Sequence, residues 1–528
     1  MSLAALRTAI AAAGLLTFTQ TPAPAQQRFY SPAERTLVGD GGIVHAVAVG
    51  PFDVYGATDF GIVVHDAVRE RWKTPLPLPI EMLATRPSAL AFDPAAGVLW
   101  LGTAAGDIFS TAPGFDRWDR VAGARGRVEA IVAWPRDGSV YILAGGEWLR
   151  IPGGTFFADR VPVNALPPAV EAEATRLPDD PWIRAARGTI GLDPRNRRWD
   201  LTDVAGGRQP GEFWIATDGG GIIRLDTRSV RQDWLRYGLA GTGAGSIAMV
   251  DGTVWVGTDG RDVRGGVAWT DPDLATWGQQ FRDDGAPAGF VAEIVTFADV
   301  VWFAAQDGLF RLEGVPEPGG RGEWSRSTSA DGLASDRVRS LAVAGGSLWA
   351  GTDRGLTPFD PTGRAIRSPL FTGQRVSRMA TRADTLFVAT DRGLHALVAG
   401  TPAAAATARP SPAGRSPALR ARVVDVVADD SLMFAITADG IIDVAGGETP
   451  VRDAVLDRVG PPFRLALRDG HLWVAGPSGI ARRDPLSQIW QAFTVPEDVH
   501  AGPVVDVLPV GDFVWAATPA GAVRLRWR

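Results

Sequence analysis

A short motif recurs along almost the whole chain and constrains the fold more than any other feature. It combines an aromatic anchor, three small or apolar residues, a polar pair and a glycine six residues after the anchor, as in SLWAGTDRGLTPFD (347–360). Most gaps between anchors are about 38 to 47 residues, the period of four-stranded propeller blades. The eleven clear anchors are Tyr55, Trp100, Tyr141, Trp214, Trp255, Trp302, Trp349, Phe387, Phe434, Trp473 and Trp515.

One gap, from Tyr141 to Trp214, is nearly double the others and predicts a hidden unit. The segment PWIRAARGTIGLD supplies Trp182 with Gly188 at the same offset of six residues. We therefore count twelve units, of which the fourth is degenerate.

Each unit is predicted to form a small antiparallel sheet. In residues 336–368, Val338 to Val343 is the expected first strand, Gly345-Gly346 a hairpin turn and Ser347 to Gly351 the second strand. Leu356 to Phe359 is the third strand, and a weaker outer strand follows. The anchor aromatic fills the space between sheets. Small residues share one position, which predicts a close approach of neighbouring sheets: Gly257, Gly351, Ala216, Ala389 and Ala517.

The predicted fold class is therefore all-β, a β-propeller of about twelve four-stranded blades of about 42 residues. Two abutting propellers, six plus six or seven plus five, are favoured over one large ring. We expect an N-terminal propeller over residues 26–285 and a C-terminal one over 286–528. A strand within GIVHAVAVG (42–50) is expected to complete a sheet near the C-terminus.

The composition excludes several function classes. A net charge of −6 and a pI near 5.6 argue against nucleic-acid binding. With no cysteine and a single lysine, Lys73, thiol catalysis, disulfides and phosphate-loop lysines are excluded. Residues 1–25 match a signal peptide, with Arg7, a short apolar run and Ala23-Pro24-Ala25. This signal peptide predicts a periplasmic or secreted protein. We expect no membrane anchor, because no later segment is long and apolar enough to span a bilayer.

Units such as DGLASDRVRSLAVAGGSLWAGTDRGLTPFD resemble the two-component-regulator propeller repeat. This repeat occurs in the periplasmic sensor regions of hybrid histidine kinases and in stand-alone exported proteins. The resemblance covers nearly the whole mature chain and implies a sensory or envelope context. The chain departs from the kinase-linked pattern because it shows no membrane helix and no kinase signature, so direct signalling across a membrane is not expected.

No catalytic, cofactor or metal site is predicted. The histidines His45, His65, His395, His471 and His500 are scattered, with no metal-binding spacing. The acidic pairs Asp179-Asp180, Asp283-Asp284 and Asp429-Asp430 lack a calcium-loop pattern and are interpreted as solvated loop charge. The glycine run GTGAGS (241–246) is interpreted as the link between two units, because it lacks the full dinucleotide-binding spacing.

Three departures from the repeat are candidate sites of individual function. The excursion 151–181, with Phe156 and Phe157, is either a binding element or a cover for an open sheet edge. The segment 399–422 is Ala/Pro-rich and is predicted to be a solvated loop. The turn Asp259 to Gly266 places Arg261 and Arg264 at one rim, where they either meet an anion or are solvated.

The predicted function is that of an exported recognition or scaffold protein, non-catalytic, which binds a protein, peptide or glycan. A membrane sensor is one candidate partner, and no nucleic acid or cofactor is expected. The alternative is an enzyme resembling streptogramin-type propeller lyases, which requires a histidine that meets two carboxylates near a central axis. A quinone-dependent dehydrogenase is less favoured because the repeat A-x-D-x-x-T-G is absent.

Overall fold

The computed structural model describes residues 30–528 except 32, 80, 81, 83, 84, 113, 115, 116, 156, 180–188, 230, 263 and 400–410, and omits the side chains of 173 and 175–179. The predicted signal peptide (1–25) lies outside the described residues, as do Trp182 and Gly188 of the predicted fourth unit. Residues 189–200 of that unit are described and contain one isolated bridge, Leu192–Arg198, and no strand. The described part contains 43 strands, arranged in eleven antiparallel sheets. The all-β propeller prediction is confirmed, whereas the count of twelve units stays a prediction.

Sheets 1 to 4 each contain four strands in sequence order. Their strands are β2 (Ala46–Val49), β3 (Asp53–Ala57), β4 (Ile62–Asp66) and β5 (Arg71–Leu76); β6 (Pro87–Asp93), β7 (Val98–Thr103), β8 (Asp107–Thr111) and β9 (Asp119–Gly123); β10 (Val128–Trp134), β11 (Ser139–Ala144), β12 (Glu147–Ile151) and β13 (Asp159–Val161); and β14 (Leu201–Gly206), β15 (Glu212–Thr217), β16 (Ile222–Asp226) and β17 (Arg231–Leu235). Helix α1 (Pro168–Asp179) lies between sheets 3 and 4 in the chain.

Sheets 5 to 10 follow the same plan. Their strands are β18 (Ala244–Val250), β19 (Thr253–Thr258), β20 (Gly266–Thr270) and β21 (Trp277–Phe281); β22 (Val291–Phe297), β23 (Val300–Ala305), β24 (Gly308–Glu313) and β25 (Glu323–Ser327); β26 (Val338–Ala344), β27 (Ser347–Thr352) and β28 (Gly355–Phe359); β29 (Val376–Arg382), β30 (Thr385–Thr390), β31 (Gly393–Val398) and β32 (Ser411–Pro412); β33 (Val423–Ala428), β34 (Met433–Thr437), β35 (Gly440–Asp443) and β36 (Thr449–Val451); and β37 (Arg464–Arg468), β38 (His471–Gly476), β39 (Gly479–Arg483) and β40 (Trp490–Thr494). In sheet 7, the predicted outer strand is reduced to the isolated bridges Leu356–Leu370 and Phe359–Ala365.

Sheet 11 joins the two ends of the described chain. It contains β41 (Asp506–Val510), β42 (Phe513–Thr518) and β43 (Gly521–Arg526), and β1 (Arg35–Val38) is its outer strand. The expectation that residues 42–50 complete this sheet is wrong, because Ala46–Val49 begins sheet 1 and the completing strand lies upstream. Residues Arg35 to Val38 pair with Leu525 to Ala522.

The first strands of the sheets pack against one another in two circuits. In the first ring, β2 contacts β6 and β14, β6 contacts β10, and α1 lies between β10 and β14. In the second ring, β18, β22, β26, β29, β33, β37 and β41 contact one another in that order, and β41 returns to β18. The alternative of one large ring is therefore wrong. The first ring ends with the sheet that contains β17, and the second ring begins with β18. The predicted division into two domains at residue 285 stays a prediction.

The repeat motif has the scaffold role that the sequence predicts. Six anchor tryptophans are at most 1% exposed: Trp214, Trp255, Trp302, Trp349, Trp473 and Trp515. Gly345 and Gly346 have φ values of 58° and 70°, which suit the tight hairpin turn between β26 and β27. A side chain at Gly257 would come within 2.5 Å of Val291 in the next sheet, which confirms the close approach at the small-residue position.

The two rings share a hydrophobic core. Trp72 and Trp214 from the first ring and Trp277 from the second belong to one buried cluster, with Tyr237 between them. The ring centroids of Tyr237 lie 5.4 Å from Trp72 and 5.1 Å from Trp277. The N–H of Trp72 also donates to the carbonyl of Ala275 across this junction.

The remaining described helices are α2 (Pro417–Arg420) and α3 (Ala454–Val459). The prediction of a solvated loop over 399–422 is wrong for its second half, because Ser411–Pro412 pairs with β31 and Leu419 is buried against sheet 9. The apolar side chain of Leu419 drives this packing. Residues 400–410 lie outside the described residues.

The closing strand β1 provides a test of the fold. A chain that begins at Gly39 should be less stable than one that begins at residue 26, because it loses the pairing of β1 with β43 and the burial of Val38. The free energy of unfolding, measured by urea denaturation, should fall by roughly 3–6 kcal/mol. Equal unfolding midpoints for the two chains would show that β1 does not close the ring.

Candidate binding site

The free edge of each first strand faces a ring axis, and its N–H groups need acceptors. In the second ring, the residue nine positions before each anchor lies on this strand at an equivalent register position. These residues are Ser246, Glu293, Ser340, Arg378, Asp425, Arg464 and Asp506. Five of the seven are charged, so this position places a set of ionisable groups around one axis.

Each carboxylate of this set accepts a hydrogen bond from the next first strand in the circuit. The donors are backbone N–H groups, and the three bonds are Leu341 to Glu293 at 2.7 Å, Leu465 to Asp425 at 2.7 Å and Ile247 to Asp506 at 3.0 Å. The last of these bonds joins the final sheet to the first sheet of the second ring. The carboxylates therefore connect neighbouring sheets as well as supplying charge.

Arginines neutralise these carboxylates across the axis. The guanidinium of Arg464 lies 2.8 Å from Asp506, 3.8 Å from Asp425 and 3.5 Å from Glu293. Glu293 belongs to sheet 6 and Arg464 to sheet 10, so their contact spans the centre of the ring. Arg378 lies 3.2 Å from Glu293 and donates to the backbone carbonyls of Ala292 and Arg339. We call these five charged residues the axial ion network.

Burial dominates the electrostatics of this network. It raises the pKa of Glu293, although Arg464 and the N–H of Leu341 oppose the change. It also raises the pKa of Asp425 well above the usual range, with a further contribution from Glu293 and Asp506. Arg464 therefore favours the ionised form of Glu293 against burial, whereas at Asp425 the groups that oppose the raised pKa are the backbone N–H groups of Leu465 and Val426.

Replacement of Arg464 tests this dependence. Arg464→Met should lower the free energy of unfolding by about 3–5 kcal/mol at pH 8, because it leaves buried carboxylates without their counter-ion. The loss should be smaller at pH 5, since raised pKa values allow Glu293 and Asp425 to take up protons.

The control is Arg468→Met on the same strand, whose side chain is 62% exposed. It should change the free energy of unfolding by less than about 0.5 kcal/mol. An equal, small effect of the two substitutions would contradict the proposed role of the axial ion network.

The first ring has a different set of residues at the same register position. They are Ala46, Ala89, Ala130 and Asp203, which pair with Ala57, Gly102, Leu143 and Ala216. Three small side chains leave the axis open, and a cavity of about 960 Å³ occupies it. This axial cavity is the candidate binding site.

The axial cavity has a polar end and an apolar end. The repeat makes all first strands run in the same direction, so residues early in these strands lie at one end and late residues at the other. Arg127, Glu129, Arg198 and Asp200 line the polar end. The apolar end is lined by Val49, Phe92, Val132, Trp134 and Pro135.

The excursion 151–181 supplies one wall of the cavity. In α1, Val170 is fully buried and packs with Val132 and Trp148 of sheet 3, together with Leu166 before the helix. Ala169 and Ala174 line the cavity. The segment thus covers the gap between sheets 3 and 4, as the covering interpretation predicts, and it borders the candidate site; its role as a binding element stays a prediction. Phe157 is 82% exposed, and Phe156 lies outside the described residues.

Asp203 is the ionisable residue at the shared register position of the first ring. One carboxylate oxygen accepts the N–H of Val47 at 2.9 Å, and the other accepts the N–H of Val204 at 2.9 Å. Burial raises the pKa of Asp203 to about 7 against these two hydrogen bonds, and no cation is among the groups that set it. Asp506 has the same role towards Ile247, but Arg464 neutralises it.

The raised pKa of Asp203 predicts a stability cost. The folded protein binds this proton more tightly than the unfolded chain does, so the free energy of unfolding falls as the pH rises from about 4 to about 7. The loss with rising pH should therefore be absent in Asp203→Asn, so that relative to the wild type the variant gains about 1–3 kcal/mol of stability between pH 5 and pH 8, as measured by urea denaturation. At every pH the asparagine leaves one of the two backbone N–H groups without its acceptor, because its amide has a single acceptor oxygen. A destabilisation that grows with pH would contradict this picture.

The predicted histidines lie apart from the axial cavity. His45 contacts one carboxylate, Asp59, at 2.8 Å. His65 packs against Trp72 and Trp214, and burial lowers its pKa to about 4. The other three are His395 beside Phe371, His471 beside Trp527, and His500, whose pKa burial lowers to about 4. In the described part of the chain, no three His, Asp or Glu side chains form a group that could hold a metal ion.

The other predicted polar segments have local structural partners. The interpretation as solvated loop charge is wrong for Asp284, whose side chain is buried in an ion pair with Arg195 at 2.6 Å. Asp429 accepts the N–H groups of Ser431 and Leu432. Asp180 and the side chain of Asp179 lie outside the described residues. In the run 241–246, Ala244 begins β18, which agrees with its interpretation as a link.

A second cleft of about 760 Å³ lies between sheets 5 and 6 and includes part of the turn 259–266. Arg261 pairs with Asp259, Arg326 with Asp307 and Arg337 with Asp353, at 3.3 to 3.9 Å. Arg264 lies over the ring of Trp199.

The sequence analysis did not identify the residues of the first strands that face the two ring axes. A signal was present, because the residue nine positions before each second-ring anchor reads Ser, Glu, Ser, Arg, Asp, Arg, Asp. In the first ring, the offset is nine at Ala46 and eleven at Ala89, Ala130 and Asp203. The alignment of these positions shows the difference between the two rings only when the grouping of the sheets is known.

Comparison with known proteins gives structural neighbours of low identity. No family model and no curated protein matches the sequence. One similar solved structure is PorZ, a surface component of the type-IX secretion system of Porphyromonas gingivalis, with 13% identity, a TM-score of 0.43, and coverage of 92% of this chain and 68% of PorZ. Another is the extracellular domain of the putative hybrid two-component system BT4673 from B. thetaiotaomicron, with 11% identity, a TM-score of 0.38, and coverage of 91% and 69%.

The WD40 β-propeller domain of Doa1 is also similar, with 13% identity, a TM-score of 0.39, and coverage of 54% of this chain and 93% of that domain. The fold assignment rests on the strand topology described above. Across the described residues, none of the helices combines the length and apolar character that a bilayer crossing requires.

Proposed function

We propose that this protein is an exported, non-catalytic recognition module that binds a ligand in the axial cavity of its first ring. The second ring is the scaffold that holds the first. The observation that carries the proposal is the contrast between the axes, since charged side chains cross one and small side chains leave the other open.

The size and lining of the cavity support a binding role. Ligand sites in proteins are commonly about 300–1,000 Å³, largely apolar, with a few polar groups that orient the ligand. The axial cavity, at about 960 Å³, lies in this size range and has an apolar end at Phe92 and Trp134, while the charged groups at its other end make it more polar than a typical site. This volume suits a small molecule or one end of a peptide or glycan, and not a folded domain.

A non-catalytic role is favoured over the lyase-like alternative. That alternative needs a histidine beside two carboxylates near an axis, and His45 contacts Asp59 alone within 4 Å among the described residues. Export is proposed from the predicted signal peptide and from the resemblance to exported propeller repeats.

Occlusion of the cavity tests the proposal. Ala91 on β6 and Ala205 on β14 line the cavity from two different sheets, and both are partly exposed. A panel of peptides, glycans and small metabolites should contain ligands that bind the mature protein, as measured by thermal shift and native mass spectrometry. Ala91→Phe and Ala205→Phe should each weaken this binding at least tenfold, because a phenylalanine ring fills ligand space.

The control is Arg261→Ala at the second cleft, which should leave the affinity unchanged. Binding that survives both occluding substitutions and is lost in Arg261→Ala would contradict the proposed location. Chemical turnover of any bound compound would contradict the non-catalytic role.

A further inference from the structure

Among the described residues, the carboxyl group of Asp203 has no cationic partner, and it borders open space. It lies on the wall of the axial cavity and keeps part of its surface exposed. Its two backbone donors, Val47 and Val204, are neutral N–H groups, which leave further lone pairs on both oxygens. A buried carboxylate without a nearby cation is costly, so this position favours a ligand that brings a positive charge.

The charged surroundings of Asp203 are confined to one end of the cavity. The lining residues of β2 and β6, which are Val47–Val49 and Ser88–Phe92, include no charged side chain. Arg127 and Glu129 belong to the β10 side, and Arg198 and Asp200 precede β14. Beyond Asp203, towards the other end, the wall contains Phe92, Val132 and Trp134.

The second ring shows how the same position is neutralised inside the protein. Asp506 also accepts an N–H from the next first strand, and the guanidinium of Arg464 lies 2.8 Å from it. In the first ring, the corresponding positions of the neighbouring sheets are alanines, Ala46, Ala89 and Ala130. The cation that the second ring supplies internally is thus missing from the described residues of the first ring.

We propose that the axial cavity binds a protonated amine carried on an apolar or aromatic body, with the ammonium group at Asp203 and the body against Phe92 and Trp134. This inference rests on the proposed function and specifies its ligand class. A free amine and the N-terminus of a peptide share this chemistry. An ammonium ion would form a charge-assisted hydrogen bond with Asp203 and also supply the missing counter-charge.

The proposed contact makes binding depend on pH. The ammonium group requires the ionised form of Asp203, and burial raises the pKa of this group to about 7 in the empty protein. A primary amine with a pKa near 10 stays protonated below pH 8. Affinity should therefore fall roughly tenfold between pH 8 and pH 6, and it should be independent of pH when residue 203 cannot ionise.

Titration calorimetry with tryptamine and N-acetyltryptamine tests the inference, because the two probes share an indole body and differ in charge. At pH 8, tryptamine should bind at least tenfold more tightly than its neutral derivative. Asp203→Asn should remove this preference by weakening tryptamine at least tenfold, with little effect on N-acetyltryptamine. Asp119→Asn is the matched control, since Asp119 is 64% exposed on an outer strand and its loss changes the net charge equally.

A second arm separates the two sources of the amine. The tripeptide Trp-Ala-Ala with a free N-terminus and its N-acetylated form should show the same charge preference if peptides fit, whereas tryptamine alone should show it if the ligand is a small amine. Either result supports the inference.

Equal affinity of tryptamine and N-acetyltryptamine, or an unchanged preference in Asp203→Asn, would overturn the inference. So would the absence of tryptamine binding up to about 10 mM. Failure of the inference remains distinct from failure of the proposed function. If tryptamine and N-acetyltryptamine bind equally and Ala205→Phe still blocks their binding, the cavity remains the site and only the proposed amine ligand is overturned. If binding survives both Ala91→Phe and Ala205→Phe, the cavity itself is overturned as the site.

Discussion

The hydrogen bond from the backbone N–H of one first strand to a carboxylate on the neighbouring first strand is the interaction on which both rings depend. It occurs at Val47 with Asp203 in the first ring and at Leu341, Leu465 and Ile247 in the second. It gives an acceptor to an edge that would otherwise lack one, and it joins sheets that are distant in sequence. This bond places a carboxylate beside the ring axis. The neighbouring side chains then determine whether an arginine neutralises that carboxylate, as in the second ring, or whether small residues leave open space beside it, as in the first.

The sequence was sufficient to predict whatever is local to one unit. The order of the strands and the aromatic anchors recur from sheet to sheet, and all of the eleven clear anchors except Phe387 are buried, so each copy supports the others. The sequence predicts less well which sheets form each ring and which strand closes the second ring, because both depend on contacts between residues that are distant in the chain. The closing strand Arg35–Val38 is short and lacks the motif. The sequence pattern therefore favours residues 42–50 as the strand that completes the C-terminal sheet, which is wrong. The axial residues were missed because their meaning depends on which sheets share an axis.

The two rings differ in how they treat buried charge. In the second ring, Arg464 and Arg378 cross the axis and stabilise Glu293, Asp425 and Asp506. In the first ring, α1 takes the place beside β10 and β14, and no arginine of the described residues is among the groups that set the pKa of Asp203. A position that costs stability while it faces an open cavity is typical of a binding site, where the ligand recovers that cost.

The central claim is that Asp203 is a carboxyl without a counter-ion in an open axis. Carboxyl ¹³C NMR titration of aspartate-labelled protein tests it most directly, with the spectrum of Asp203→Asn to assign the resonance. The account predicts a resonance that titrates near pH 7 in the empty protein, is absent from the variant and shifts to a lower pKa when tryptamine is added. A pKa at or below about 4 for Asp203 in the empty protein would contradict the account.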